Sequence, residues 1–217
     1  MSFQTIIDNA TFISVDKRKT TAMSVSRSGH VKTAERNPSV YRFTVGSVPG
    51  LKYSENRGVL EDIDTADRIT EANISLSNNT GMNYITAYQG DISDAELNDI
   101  VMVGGDGQEL YINTSAVTGS GTLFKKGDFV QPAGNSSIYR YPYQVTSDVS
   151  FSAAANVTVP VHRPVLSQTG QVITSGGLRT GTECRFHVKA MTCPTYSIVP
   201  HDRIEFTGNF EFVEIIT

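Results

Sequence analysis

Gly121–Pro164, GTLFKKGDFVQPAGNSSIYRYPYQVTSDVSFSAAANVTVPVHRP, is the stretch whose reading decides the fold. Three strand-like phrases follow one another in it. Lys126-Gly127-Asp128 is a turn that sets register and leads into Phe129 and Val130. Tyr139–Val145 reads YRYPYQV and Asn156–Val161 reads NVTVPV. Such alternation predicts a compact β-meander whose hairpins serve partners. On a regular strand Tyr139, Tyr141 and Tyr143 share one face, which reads as a packing stripe between sheets or subunits. At the end, Pro160 and Pro164 bracket His162 and Arg163 and fix an extended exit from the last strand. A packing or subunit contact is the expected use of His162.

Outward from this stretch the β pattern continues. Val40–Val48 alternates Tyr41, Phe43 and Val45 against Arg42 and Thr44 and stops at Pro49-Gly50. Ser54–Arg68 is the one convincing helix: Ser54 is placed to cap it, and Val59, Leu60, Ile63 and Ala66 form a stripe at helical spacing. Asn73–Ser77 and Tyr84–Tyr88 read as short strands, separated by the turn residues Asn78–Gly81. Ala95–Val103 fits either a helical turn or a buried strand. Asp106-Gly107 is the strongest hairpin signal and leads into Glu109–Ile112. Glu183–Lys189 and Arg203–Ile216 complete the strand set, the latter bending at Gly208-Asn209, with Phe210 and Phe212 on one face. Met1–Ser39 is polar and weakly patterned and reads as an arm over residues 1–31, with a turn at Arg27-Ser28-Gly29. No Pro-rich linker divides the chain, so a single domain over residues 1–217 is expected.

At 217 residues the chain is long enough to bury a real core. Charged residues are 18%, against roughly 25% in an average soluble domain. That deficit suits a β protein partly covered by neighbours. The net charge of −4 argues against phosphate-backbone binding as the main task, and Lys17-Arg18-Lys19 reads as a solvated turn or arm. No apolar run is long enough for a membrane helix, and the first residues lack the pattern of a secretion signal, so a cytosolic place of assembly is expected. Cys184 and Cys193 would pair only if they faced each other across a hairpin; two buried thiols suit a reducing compartment better.

The chemistry-bearing residues do not group. His30, His162, His187 and His201 have no second ligand at metal-site spacing, so no metal or cofactor is expected. There is no Gly-x-Ser-x-Gly elbow, and Gly104-Gly105-Asp106-Gly107 lacks the Lys-Ser/Thr and the helix of a phosphate loop. No catalytic role is expected for any residue, and the chain is not read as an enzyme. A tyrosine-lined sugar site is the other use that the residues Tyr139, Tyr141 and Tyr143 suggest, in a chain with no tryptophan.

In their order these phrases resemble the distal tail proteins and related tail-tube or baseplate-hub proteins of tailed bacteriophages. The resemblance rests on the turn Ser26-Arg27-Ser28-Gly29, the aromatic strand Tyr41–Val45 and the helix Ser54–Arg68. It continues through Leu123–Phe129, Val145–Val149, Ala153–Asn156, the exit Thr158–Pro164 and the closing Gly208–Ile215. It spans most of the chain, but residues 73–120 depart from a minimal member and read as an insertion. It implies a β-sandwich or rolled β-barrel of tail-tube type with one flanking α-helix. It further implies a homohexameric ring in the tail tip or baseplate of a virion, assembled in the host cytoplasm. The ring's partners would be the tail-tube protein and the hub, with DNA only in transit and no membrane. Closing the ring would remove exposed strand edges. Six copies would carry about −24, an acidic lumen that repels passing DNA. Arg27, Lys126, Asp128, Tyr139, Tyr141, Tyr143, His162 and Arg163 are the expected subunit-interface residues. The alternative is a carbohydrate-binding or host-recognition β module of the virion.

Overall fold

The computed structural model describes residues 2–18, 21–35, 39–46, 48–66, 70–76, 79, 81–133, 141–152, 156–166 and 176–216. In chain order the elements are α1 (Ser2–Asp8), β1 (Phe12–Asp16), β2 (Thr21–Val25), β3 (Val31–Glu35), β4 (Arg42–Gly46), α2 (Tyr53–Ala66), β5 (Glu71–Ile74), α3 (Asp94–Leu97), β6 (Val101–Asp106), β7 (Glu109–Asn113), β8 (Ser120–Phe124), β9 (Phe129–Ala133), β10 (Tyr143–Gln144), β11 (Val149–Ser152), β12 (Asn156–Pro160), β13 (Gly176–Thr180), β14 (Phe186–Thr192), β15 (Tyr196–Val199), β16 (Arg203–Phe206) and β17 (Phe210–Glu214). The protein is mainly β, and every strand pair is antiparallel.

Two sheets carry two cores. The first runs β1-β4-β17-β14-β5. Strand alternation turns Phe43, Val45, Phe186, Val188, Phe210 and Phe212 inward, and α1 and α2 cover them with Phe3, Ile6, Ile7, Leu60 and Ile63. The second runs β10-β9-β13-β6-β7-β12, and Leu110, Ile112, Val130, Tyr143 and Val159 pack there with Leu123 and Phe124 of the β8–β11 ribbon. Phe129 of β9 reaches across into the first core, 5.8 Å from the Phe186 ring, so the two cores abut. Among the described residues the named strands form no closed barrel, and the two end strands of the second sheet, β10 and β12, meet just past their ends through the Val145–Val161 bridge.

Several local expectations change. The flanking helix starts one residue early, at Tyr53, and two further helices exist. α1 is formed because Phe3, Ile6, Ile7 and Ala10 fall at helical spacing and are all buried. The supposed arm over 1–31 therefore divides: residues 2–16 belong to the first core, and only β2 and β3 stand apart. The segment 73–120 is built into both sheets: Ile74 pairs opposite Phe186, and β6 and β7 sit inside the second sheet. Tyr84–Tyr88 forms no strand; its first two residues complete the 3-10 turn Asn83–Ile85. Ala95–Val103 resolves into both of its readings, the end of α3 and the start of β6. Gly104 and Gly105 lie in β6, and Asp106 pairs with Glu109 across Gly107-Gln108.

Gly121–Pro164 is β-rich but not a simple meander. β8 pairs with β11, β9 with β10 and β13, and β12 with β7. Gly127, at φ 108°, lets the chain reverse between β8 and β9. β12 finds its partner in the hairpin built at Asp106-Gly107 and ends the sheet's strand order, with the Pro160 carbonyl accepting the Thr146 amide at 3.0 Å.

Candidate functional site

The exit from β12 carries the feature that joins the two sheets. Val161 bridges Val145, and the next residue, His162, exchanges bonds with Gln144: the His162 amide donates to the Gln144 carbonyl at 3.0 Å, and the Gln144 amide donates to His162 Nδ1 at 3.0 Å. This pairing turns the Arg163 side chain inward. Its guanidinium donates through Nη1 to Glu214 Oε2 (2.6 Å) and the Ser39 carbonyl (2.9 Å). Through Nη2 it donates to Glu214 Oε1 (2.7 Å) and the Pro142 carbonyl (2.9 Å). Four of its five N–H groups are thus matched, and buried Nε has no hydrogen-bond partner. The rings of Tyr41, Tyr141 and Tyr143 surround the guanidinium at 5.4, 5.7 and 5.3 Å from its carbon.

Glu214 comes from the last position of β17, and its Oε2 also accepts the Tyr41 amide at 3.1 Å. The side chains of Arg163 and Glu214 are 1% and 0% exposed. Each charge is out of water and each is neutralised by a two-bonded partner, the geometry in which a buried pair holds together. Burial alone would lower the Arg163 affinity for its proton, but hydrogen bonding to Glu214 outweighs it and the guanidinium stays charged. Burial also pushes the Tyr41 and Tyr143 hydroxyls up, so both remain neutral.

His162 lies beside this cluster, 5.2 Å from the Tyr41 ring. Because Nδ1 accepts a backbone N–H, the neutral ring carries its proton on Nε2, which is buried without a partner. Burial, then the charges of Arg163 and Lys17, hold its pKa down at about 3. A second seam lies nearby on β9. Gln131 Nε2 donates to the Arg185 carbonyl at 2.7 Å while its Oε1 accepts the Arg185 amide at 2.9 Å. A side-chain amide here takes the place of a strand between the sheets.

The expected interface residues separate by exposure. Asp128, Tyr141, Tyr143 and Arg163 are buried at 3% or less within the single chain. Asp128 is an internal staple, accepting the amides of Lys125 (2.9 Å) and Gln89 (3.1 Å), and burial raises its pKa. His162 is partly buried, whereas Lys126 and Arg27 are exposed. Tyr139 lies outside the described residues. The structure thus brings Tyr141, Tyr143, His162 and Arg163 together and leaves Arg27, Lys126 and Asp128 elsewhere. Sequence reasoning missed Glu214 and Tyr41 as members of the cluster. Glu214 did leave a signal: it shares strand parity with Phe210 and Phe212, so a carboxylate there points into a core and requires a cation.

No protein-family model matches the chain, and none of the curated proteins matches it.

The cluster is a structural joint, since every described oxygen of Glu214 and both terminal nitrogens of Arg163 are already engaged. Among the described residues no three His, Cys, Asp or Glu side chains gather as a metal site would require. No helix of the described residues is long and apolar enough to cross a membrane. Two surface features of the described residues bear on assembly. One is the outer edge of β1, where Phe12 is 43% exposed. The other is the β2–β3 hairpin, a sheet of its own that presents Arg27 at its turn.

Proposed function

We propose that this protein is a structural component of a bacteriophage tail tip or baseplate, of tail-tube type. It forms a homohexameric ring that joins the tail tube to the hub and lets DNA pass. The order of phrases from Ser26 to Ile215 supports this reading, and so does a mainly β architecture. The observation that carries it is the outer edge of β1 at the end of the five-stranded sheet, which pairs with no strand among the described residues, with the large apolar Phe12 beside it. An unpaired edge with an apolar flank invites another strand, and closure of a ring is one way to satisfy it. The buried Arg163–Glu214 joint would hold the two sheets as one block, so that such contacts add up around the ring.

The sugar-binding alternative draws nothing from Tyr141 and Tyr143, which are buried around Arg163. The test is to mix the purified chain with tail-tube protein and with hub protein and to examine the products by native mass spectrometry and negative-stain imaging. Sixfold rings that cap the tube are expected. A chain that stays monomeric at all concentrations, ignores both proteins and binds glycans would sink the reading.

A further inference from the structure

The hairpin of β2 and β3 differs from the rest of the molecule in charge and in solvation. The hairpin, residues 21–35, holds two basic residues, Arg27 and Lys32, and one acidic residue, Glu35, a net of +1. The other 202 residues hold sixteen basic and twenty-one acidic ones, a net of −5. Every residue from Met23 to Ala34 is exposed. The ladder places Val25 opposite Val31 and Met23 opposite Thr33, so Met23, Val25 and Val31 share one face while Ser24 and Lys32 take the other. Met23, Val25 and Val31 are 70%, 63% and 56% exposed. The turn is tight: the Ser26 amide donates to the His30 carbonyl and the Gly29 amide to the Ser26 carbonyl, both at 2.9 Å, with Gly29 at φ 80°. A two-stranded hairpin wetted on both faces is marginally stable by itself, so this one requires a surface to lie on.

We propose that the β2–β3 hairpin is the docking arm by which one copy of the chain grips the acidic body of the next. The Met23, Val25 and Val31 face loses water against the neighbour, and Arg27 and Lys32 meet its carboxylates. The contact is heterologous, arm to body, so it repeats around a ring or along a filament. Charge complementarity selects the occupant: the chain supplies both the hairpin's exposed Arg27 and Lys32 and a body of net −5, yet the exposed hairpin is not covered by its own body. The inference rests on the self-association that the tail reading requires.

Sedimentation velocity of the full chain tests it, at low salt and at about 0.5 M salt, where charge contacts beyond a few ångströms are screened. Two variants join the wild type: R27E/K32E, and M23S/V25T/V31T. Both changes lie outside the two cores, so an unchanged melting transition of the monomer body confirms that each variant folds. The expected result is a wild-type oligomer weakened by salt. R27E/K32E should associate at least about tenfold more weakly and lose the salt dependence, and M23S/V25T/V31T should associate more weakly but keep it. Oligomers of equal strength in all three proteins would overturn the arm and leave the ring standing. A monomeric wild type whose hairpin binds anionic vesicles or duplex DNA would overturn it in favour of lipid or nucleic acid. A wild type that is monomeric and binds neither would overturn both the arm and the ring.

Discussion

Arg163 and Glu214 show how a residue-scale detail sets a requirement on the whole chain. Removing one partner of a buried ion pair strands the other charge, which costs about 3–5 kcal/mol, whereas an apolar pair of similar volume is often neutral or better. Arg163→Met and Glu214→Leu are therefore each expected to lower stability by about that amount, and the double variant to recover most of it. Urea unfolding of the four proteins measures the cycle; two additive losses would show that the pair does not act as a unit. Arg163→Lys keeps the charge but not the planar fork, so it should also destabilise. His162 adds a pH dependence whose sign is fixed. Its folded pKa is about 3, while an unfolded histidine titrates near 6.5. Between those values the unfolded chain binds more protons, so stability falls as pH drops from about 6.5 toward 3 and is unaffected above that window. The urea midpoint followed across that range should lose part of its slope in His162→Asn.

At the scale of elements, two ends are held by residues distant in sequence. The start of α2 is capped by Asp202, whose carboxylate accepts the Ser54 amide at 2.9 Å and the Ser54 hydroxyl, while its own carbonyl accepts the Tyr53 amide at 3.0 Å. The chain turns there with His201 and Asp202 at φ 68° and 61°. The end of α1 is held by buried Asn79, whose Nδ2 donates to the carbonyls of Ile7 (2.8 Å) and Ala10 (2.9 Å). Asn79→Ala leaves both carbonyls without that donor and is expected to cost about 1–3 kcal/mol, read from the thermal midpoint. Asp202→Ala should lower the same midpoint, and Asp202→Asn should retain most of it. These long-range caps explain what was legible. The stripe of Val59, Leu60 and Ile63 declares α2 because helical periodicity is local, but the residue that caps it lies 148 positions from Ser54. The alternation of Tyr141 and Tyr143 declares a shared face, yet nothing near them in sequence announces a guanidinium between the rings. α1 went unread because seven residues carry too short a periodic signal amid polar neighbours. The strands of Gly121–Pro164 were legible as strands, while their partners were not, since pairing is decided by which edges other segments leave open.

For the whole molecule, the seams matter more than either sheet. Arg163, Gln131 and Phe129 couple two cores that would otherwise be free to melt separately. Calorimetry of the wild type should therefore show one transition whose calorimetric and van't Hoff enthalpies agree. Combining Arg163→Met with Gln131→Ala should broaden or split it, and a single sharp transition in that double variant would mean that the seams are not what couples the layers. The cysteines give a way to watch this from inside. Cys184 is 1% exposed in the first core, and burial pushes its thiol up; Cys193 lies only half-buried, and neither is in a disulfide. A thiol reagent in excess should modify Cys193 on the folded chain and reach Cys184 only in molecules whose first layer has opened. The chain thus contains its own chemical clock, and the lag between the two modifications times how often that layer breathes.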